Sequence, residues 1–375
     1  TWTFVDQAVA ADFEALAKVD QGEPSIVSRT LDDGTWVVAF VRDDGPVRYH
    51  LWDRKKKAAT FLFVASAELA KLPLRPMRAL EVQARDGLAL PSYLTLPAAA
   101  DKDRDGTPER ASPLVLFVHG GPWARDQWGY NPTHQWLASR GYAVLSVNYR
   151  GSTGFGKKFI NAADKEWAGK MHDDLIDAVR WAVSAGVADE KRVAIYGGSY
   201  GGYSALVGLT FTPKQFACAV DIVGPSNLVT LLENAPPYWA PFMPMFATKL
   251  ADHTTAEGKR WLFERSPLSR VSQIERPLLI GQGANDPRVK QLESDQIVKA
   301  MKDKGIPVTY VLYPDEGHGF ARPENRKSFN AVAEIFLAGC LGGPYQPIGG
   351  DLTGSSIQVP EGATHVHTLA AALGR

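Results

Sequence analysis

The sequence predicts an α/β chain: a mostly parallel sheet with helices on both faces, preceded by a small antiparallel β segment. Three observations carry this. From Leu114 to Leu341, short apolar strand-like runs alternate with amphipathic helical stretches, the pattern that builds a parallel sheet covered on both sides. Before Pro73 that alternation is absent, and four short strand-like runs are separated by turn sequences. Finally, 375 residues at 45% hydrophobic content can bury a large core, so one main domain with an appendage is expected.

The elements follow in chain order. Ser25–Thr30, Thr35–Arg42, Val47–Trp52 and Ala59–Val64 read as strands, with hairpin turns at Asp32–Gly34, Asp43–Pro46 and Arg54–Lys57. Four antiparallel strands amount to about one blade of a β-propeller, and residues 1–75 are expected to form such a remnant. Arg54–Lys57 reads as a solvated turn and not as a nucleic-acid patch: Lys+Arg and Asp+Glu each number 41, so no field favours nucleic acid or an anionic membrane. No apolar run approaches spanning length. A Pro-rich linker from Pro73 leads to an antiparallel pair, Leu80–Ala84 and Leu88–Leu96, turning at Asp86-Gly87. Strands are then expected near Leu114–Val118, Ala143–Asn148, Val193–Tyr196, Ala219–Ile222, Leu278–Gly281 and Val308–Tyr313, with helices such as Met171–Ala185 and Glu293–Lys304 between them. Residues 76–375 form the main domain, with a C-terminal tail from about 342 in which His365 and His367 read as surface. Cys218, in an apolar strand, and Cys340, after the last helix, give no disulfide framework, and the compartment, cytoplasmic or otherwise, stays open on that basis. Thr1 carries neither an initiator methionine nor a signal-peptide pattern, so the numbering is expected to begin inside a precursor.

The most specific chemistry lies in Val193-Ala-Ile-Tyr-Gly-Gly-Ser199-Tyr-Gly-Gly-Tyr203. A serine in Gly-x-Ser-x-Gly directly after a β-branched strand and before an apolar helix is the nucleophile elbow of an α/β-hydrolase. The partners appear in the order that fold requires, Ser then acid then His. Asp286 follows the strand Leu278–Gly281, and His318 follows Val308–Tyr313. Both sit where loops at the carboxyl ends of parallel strands converge. Ser199 is expected to attack an acyl carbonyl, His318 to take its proton and return it to the leaving group, and Asp286 to hold the imidazole. Asp221 also ends a strand and is the second choice for the acid. Asp315 and Glu316 stand too close to His318 and are expected to shape its loop. His119 precedes the nucleophile and reads as a loop-bracing residue. The strand running into His119-Gly120-Gly121-Pro122 supplies an oxyanion loop, with the backbone N–H groups of Gly121 and Tyr200 as donors; Pro122 has none to give.

With these residues the chain resembles the prolyl oligopeptidase family, in its acylaminoacyl-peptidase-like branch. The resemblance rests on His119-Gly-Gly-Pro122, Asn148-Tyr-Arg-Gly-Ser-Thr-Gly-Phe-Gly156, Gly197-Gly-Ser-Tyr-Gly-Gly202, Asn285-Asp-Pro-Arg-Val289 and Asp315-Glu-Gly-His-Gly-Phe320, spanning about Met77 to Leu341. It implies the same catalytic positions (Ser199, Asp286, His318) and oxyanion positions (Gly121, Tyr200), no cofactor, and cleavage of short or acylated peptides through an acyl-enzyme. The alternative is a carboxylesterase acting on acyl esters in an open site, since such enzymes usually carry a complete propeller and this N-terminal segment has no room for one. The expected partner is a small peptide or ester substrate, with no nucleic acid or membrane, and with self-association through exposed edge strands of the N-terminal segment.

Two motifs fall short. Gly151-Ser-Thr-Gly-Phe-Gly-Lys157 has P-loop spacing, but Lys158 stands where the magnesium-binding Ser or Thr is required. Asp101-Lys-Asp-Arg-Asp-Gly106 matches half of a calcium loop, with Ser112 at the twelfth position, and reads as a solvated hairpin tip; no metal is expected. An aromatic, proline-stiffened insertion, Glu233–Phe246, is long enough to overhang the site. Tyr238, Trp239 and Phe242 are its candidate pocket residues.

Overall fold

The computed structural model describes residues 2–374; Thr1 and Arg375 lie outside the described residues. Its strands form a four-stranded sheet in the order β1-β2-β3-β4 and a nine-stranded sheet in the order β13-β12-β11-β10-β9-β7-β8-β6-β5. The small sheet is antiparallel throughout: β1 (Glu23–Arg29), β2 (Thr35–Val41), β3 (Arg48–Asp53) and β4 (Ala58–Val64). Trp36, Val38, Phe40 and Trp52 bury one of its faces against Leu16 of the preceding helix Ala10–Leu16. That helix also carries Asp12, fully buried, which accepts hydrogen bonds from Trp52 Nε1 (2.8 Å), Arg54 and Lys57. The Arg54–Lys57 turn is exposed at Lys55, Lys56 and Lys57, as the sequence reading has it, and is in addition tied down by a buried carboxylate. The helix that supplies the partner lies some forty residues away and carried no signal of its role.

The large sheet is parallel in its centre. β7 (Ser112–Val118), β8 (Ala143–Val147), β9 (Ala188–Gly198), β10 (Cys218–Ile222), β11 (Leu278–Gly283) and β12 (Thr309–Tyr313) pair in parallel. The hairpin of β5 (Met77–Gln83) and β6 (Ala89–Thr95) joins antiparallel through β8. Alternation along the strands sends side chains to two separate cores. Leu114, Leu116, Val193 and Ile195 face the helices Lys170–Ser184, Tyr200–Phe211 and Gln291–Asp303, while Val115, Ala194 and Tyr196 face the helix Pro323–Leu341 and Leu137. This is the α/β-hydrolase fold expected from the sequence, with the small antiparallel sheet at its N-terminus.

Two expectations need correction. Residues beyond 342 are not a loose tail: β13 (Gln358–Glu361) adds antiparallel to β12, and Val359, Val366 and Leu369 are buried in the second core, leaving His365 and His367 exposed. Cys218 and Cys340 form a disulfide across 122 residues. The sequence gives each cysteine a separate apolar setting, and they meet only because the helix Pro323–Leu341 packs across β10. Among the described residues no helix is long and apolar enough to cross a membrane.

A cross-link over so long a loop restricts the unfolded chain strongly, so Cys340→Ser should lower the unfolding free energy by about 2–4 kcal/mol. Reductant should lower the wild-type unfolding free energy by a similar amount, seen as a lower urea midpoint, and identical midpoints with and without reductant would contradict the pairing.

Candidate active site

β9 ends in two glycines, and the chain reverses at Ser199 (φ 58°, ψ −118°) into the helix Tyr200–Phe211. A side chain in that conformation costs about 1–3 kcal/mol and persists only where its surroundings hold it. Close packing does so here: a Cβ on Gly201 would lie 2.1 Å from the Val118 carbonyl oxygen, and one on Gly197 would lie 2.5 Å from the Gly201 backbone. The Ser199 N–H donates to Ile222 O (2.8 Å), and Ser199 O accepts from Tyr203 N–H (2.9 Å).

The three sequence candidates meet at this turn. His318 Nε2 lies 3.0 Å from Ser199 Oγ, and His318 Nδ1 lies 2.7 Å from Asp286 Oδ2. Asp286 is buried, and its other oxygen accepts from Arg288 N–H (2.8 Å) and Val289 N–H (3.0 Å), so the carboxylate is fixed before it meets the ring. With Nδ1–H donating to Asp286, Nε2 is left to accept from the serine hydroxyl. The His318 loop is shaped by its neighbours: Glu316 accepts from Ala321 N–H and Arg322 N–H (2.9 Å each), and Asp315 pairs with Arg322 and Asn325. Asp221, the alternative acid, does not reach the histidine; it is fully buried behind the elbow and accepts from Gly224 N–H at 2.8 Å.

The loop His119–Pro122, expected from the sequence to supply oxyanion donors, lies against the elbow. A Cβ on Gly120 would stand 3.0 Å from Gly198 O and 3.3 Å from Ser199 Cβ. Gly121 (φ 128°) and Tyr200 border the same cavity as Ser199, and Tyr200 is the first residue of its helix, where N–H groups have no partner within the helix. His119 braces this loop: its ring stacks on Tyr149 at 4.5 Å, and its nitrogens contact Gly120 O (2.8 Å) and Ser152 Oγ (3.0 Å). Desolvation holds His119 down to about 4, so it is neutral. Ser152 belongs to the glycine-rich near-miss of a P-loop, whose role here is this support.

Ser199 opens into a cavity of about 260 Å³. Trp239 and Phe242 line it, whereas Tyr238 is not among its lining residues and is half exposed. The 3₁₀ turn Pro237–Phe242 accounts for this, since successive residues leave it in different directions. Met245 and Phe246, at the end of the same insertion, line the cavity too, and walls that the sequence reading missed come from Trp123, Trp167, Leu231 and Val289. Trp123, one residue beyond Pro122, was the one with an available signal. Among the described residues, none that lines this cavity is charged. A larger groove of about 1250 Å³ lies between Leu72–Arg75 and the helix Pro132–Ser139, and none of Ser199, His318 or Asp286 borders it. Asp101, Asp103 and Asp105 bring one oxygen each within 4.8 Å of one another, also away from the serine, with Asp101 held by Arg75 at 2.7 Å.

The prolyl oligopeptidase family model matches residues 128–344. Dipeptidyl aminopeptidase BIII of Pseudoxanthomonas mexicana is 62% identical over 99% of this chain and 54% of its own length. Dipeptidyl peptidase family member 6 of Caenorhabditis elegans is 47% identical over 87% of this chain and 46% of its own length. The chain thus spans about half the length of the curated relatives it matches. Among solved structures, a puromycin-hydrolyzing peptidase of Mycobacterium tuberculosis superimposes with a TM-score of 0.73 at 28% identity, covering 84% of this chain and 47% of that one. An acylaminoacyl peptidase in complex with Z-Gly-Gly-Phe-chloromethyl ketone gives 0.73 at 22% identity, over 87% and 51%, a likeness of fold.

Beyond the oxyanion loop, Asp126 has a buried, unpartnered Oδ2, and desolvation pushes its carboxyl up to about 7. The folded value lies above the ordinary 3.8, so between the two the native state keeps a proton that the unfolded chain has released. Stability should therefore fall as pH rises through that window. Asp126→Asn should abolish this share of the slope, worth at most about 4 kcal/mol, as read from urea midpoints between pH 4 and 8. An unchanged slope would contradict it.

Proposed function

The chain belongs to the prolyl oligopeptidase family, and from that premise we propose that it is a serine peptidase that removes N-terminal dipeptides from short peptides. The observation that carries this reading is His318 bridging Asp286 and Ser199 at hydrogen-bonding distance on both sides. The dipeptide follows from the relative that is 62% identical across nearly the whole chain and is named a dipeptidyl aminopeptidase. The uncharged aromatic cavity beside Ser199 fits an apolar side chain next to the scissile bond.

In this mechanism Ser199 Oγ attacks the scissile carbonyl carbon while His318 Nε2 takes its proton. Asp286 stabilises the imidazolium. The N–H groups of Gly121 and Tyr200 receive the oxyanion, each such donor contributing about 3 kcal/mol. His318 then protonates the leaving amine as the C–N bond breaks. Water, deprotonated by the same histidine, releases the acyl group from Ser199. No metal or cofactor enters these steps.

Residues 1–75 are part of the proposal as one blade of a β-propeller, with residues 76–375 as the catalytic unit. Phe61 and Phe63 of β4, each about half exposed, offer an edge for self-association. The ester-only alternative drew its support from the shortness of the N-terminal segment, an argument with no weight for a chain spanning half of its relatives. The Cys218–Cys340 bond favours an oxidising compartment.

Dipeptide nitroanilides with a free N-terminus should be turned over, and faster than their acylated counterparts; turnover confined to nitrophenyl esters would contradict the peptidase reading. Ser199→Ala and His318→Ala should each lower kcat by roughly 10⁶-fold, with little further loss in the double variant, because the groups act as a unit. Asp286→Asn should cost about 10⁴-fold with the fold intact. Multiplicative losses in the double variant would count against a shared mechanism.

A further inference from the structure

β10 ends between the elbow strand and the acid strand, with Asp221 registered beside Gly197 of β9 and Ile280 of β11. The Asp221 side chain is fully buried. Its Oδ1 accepts from Gly224 N–H at 2.8 Å and closes the turn 221–224, while Oδ2 is buried with no hydrogen-bond partner. Inside that turn Val223 has φ 49°, a left-handed conformation that a β-branched residue rarely adopts. Two bonds hold it there: the Asp221–Gly224 closure, and Val223 N–H donating to Gly281 O of the acid strand at 2.9 Å. A strained turn fixed so thoroughly needs an explanation, and its neighbours supply one.

The turn touches the nucleophile directly, because the Ile222 carbonyl is the acceptor for the Ser199 N–H. The carboxyl also fills space left by the elbow helix. A Cβ on Gly202 would come within 2.2 Å of Asp221 Oδ1, so the first helical turn rests on this oxygen. Pro225, next along the chain, is a wall of the Ser199 cavity.

We propose that Asp221 is a positioning residue for the nucleophile: its carboxyl clamps the 221–224 turn, whose Ile222 carbonyl fixes the Ser199 amide and with it the direction of Oγ. This rests on the reading of Ser199 as the nucleophile. Burial pushes the Asp221 carboxyl well above the ordinary carboxylate range, so the clamp is neutral and adds no charge beside Asp286 and His318. An asparagine, neutral and of the same shape, can make the same bond to Gly224.

The test compares the wild-type chain with Asp221→Asn and Asp221→Ala. Folded sites are counted by carrying fluorophosphonate labelling to completion, and rates are expressed per labelled serine so that an unfolded fraction drops out. Asp221→Ala should lower kcat by about 100-fold with KM within about twofold, the scale expected when a reacting group is misplaced by about an ångström. Its phosphonylation rate should fall in parallel. Asp221→Asn should stay within about threefold of wild type in both. If Asp221→Ala does not fold, Asp221→Ser, which keeps an oxygen on Cβ, should give an intermediate rate per labelled serine. Wild-type rates per labelled serine in Asp221→Ala or Asp221→Ser would overturn the proposal, as would an Asn variant as slow as the Ala variant. A wild-type chain that is not labelled, or is labelled away from Ser199, would remove the nucleophile itself and is seen before any Asp221 variant is measured.

Discussion

The sharp reversal at Ser199 is the constraint around which this end of the molecule is arranged. A serine held at positive φ stores strain, and the strain lasts only while strand, helix and neighbouring turns leave the chain no room to relax. Absent side chains at Gly197 and Gly201 let the elbow helix come into contact with β7 and β9. The Ile222 carbonyl then holds the serine amide from the side of β10. Each of these contacts is made by backbone at the carboxyl edge of the parallel sheet, where neighbouring strands end at one level. That edge also delivers Asp286 from the loop after β11 and His318 from the loop after β12, so one piece of geometry aligns groups 119 residues apart.

Around the reversal, polar groups are placed so that charge is confined. Asp286 spends one oxygen on two backbone N–H groups and offers the other to His318, which fixes the ring. His119 and Asp221, both close to the elbow, are driven neutral by desolvation. The cavity in front of Ser199 has aromatic and aliphatic walls. In the proposed mechanism a developing oxyanion in such a setting would feel the Gly121 and Tyr200 dipoles with little competition from water.

What was legible in the sequence is what chemistry forces on the local backbone. Gly-x-Ser-x-Gly after a β-branched run has few other uses, and the order of Ser199, Asp286 and His318 identified residues that the fold brings together. The two strand-end aspartates looked alike in sequence. They differ because Asp221 turns inward to cap Gly224, whereas Asp286 opens toward the histidine, a distinction set by tertiary packing. The cavity walls at Trp167 and Leu231 left no trace because any apolar side chain can line a wall and these come from separate segments, whereas Met245 and Phe246 lie in the insertion already expected to overhang the site. The Cys218–Cys340 pairing and β13 depended likewise on where the last helix comes to rest.

The central claim is that Ser199 is a nucleophile activated by His318, and it can be tested without knowing the substrate. The chain is treated with an excess of fluorophosphonate at neutral pH and its intact mass and proteolytic peptides are measured. The account predicts one adduct per chain, located on Ser199, and none in the His318→Ala chain over the same time. An adduct on another residue, or equal labelling of the His318→Ala chain, would contradict it.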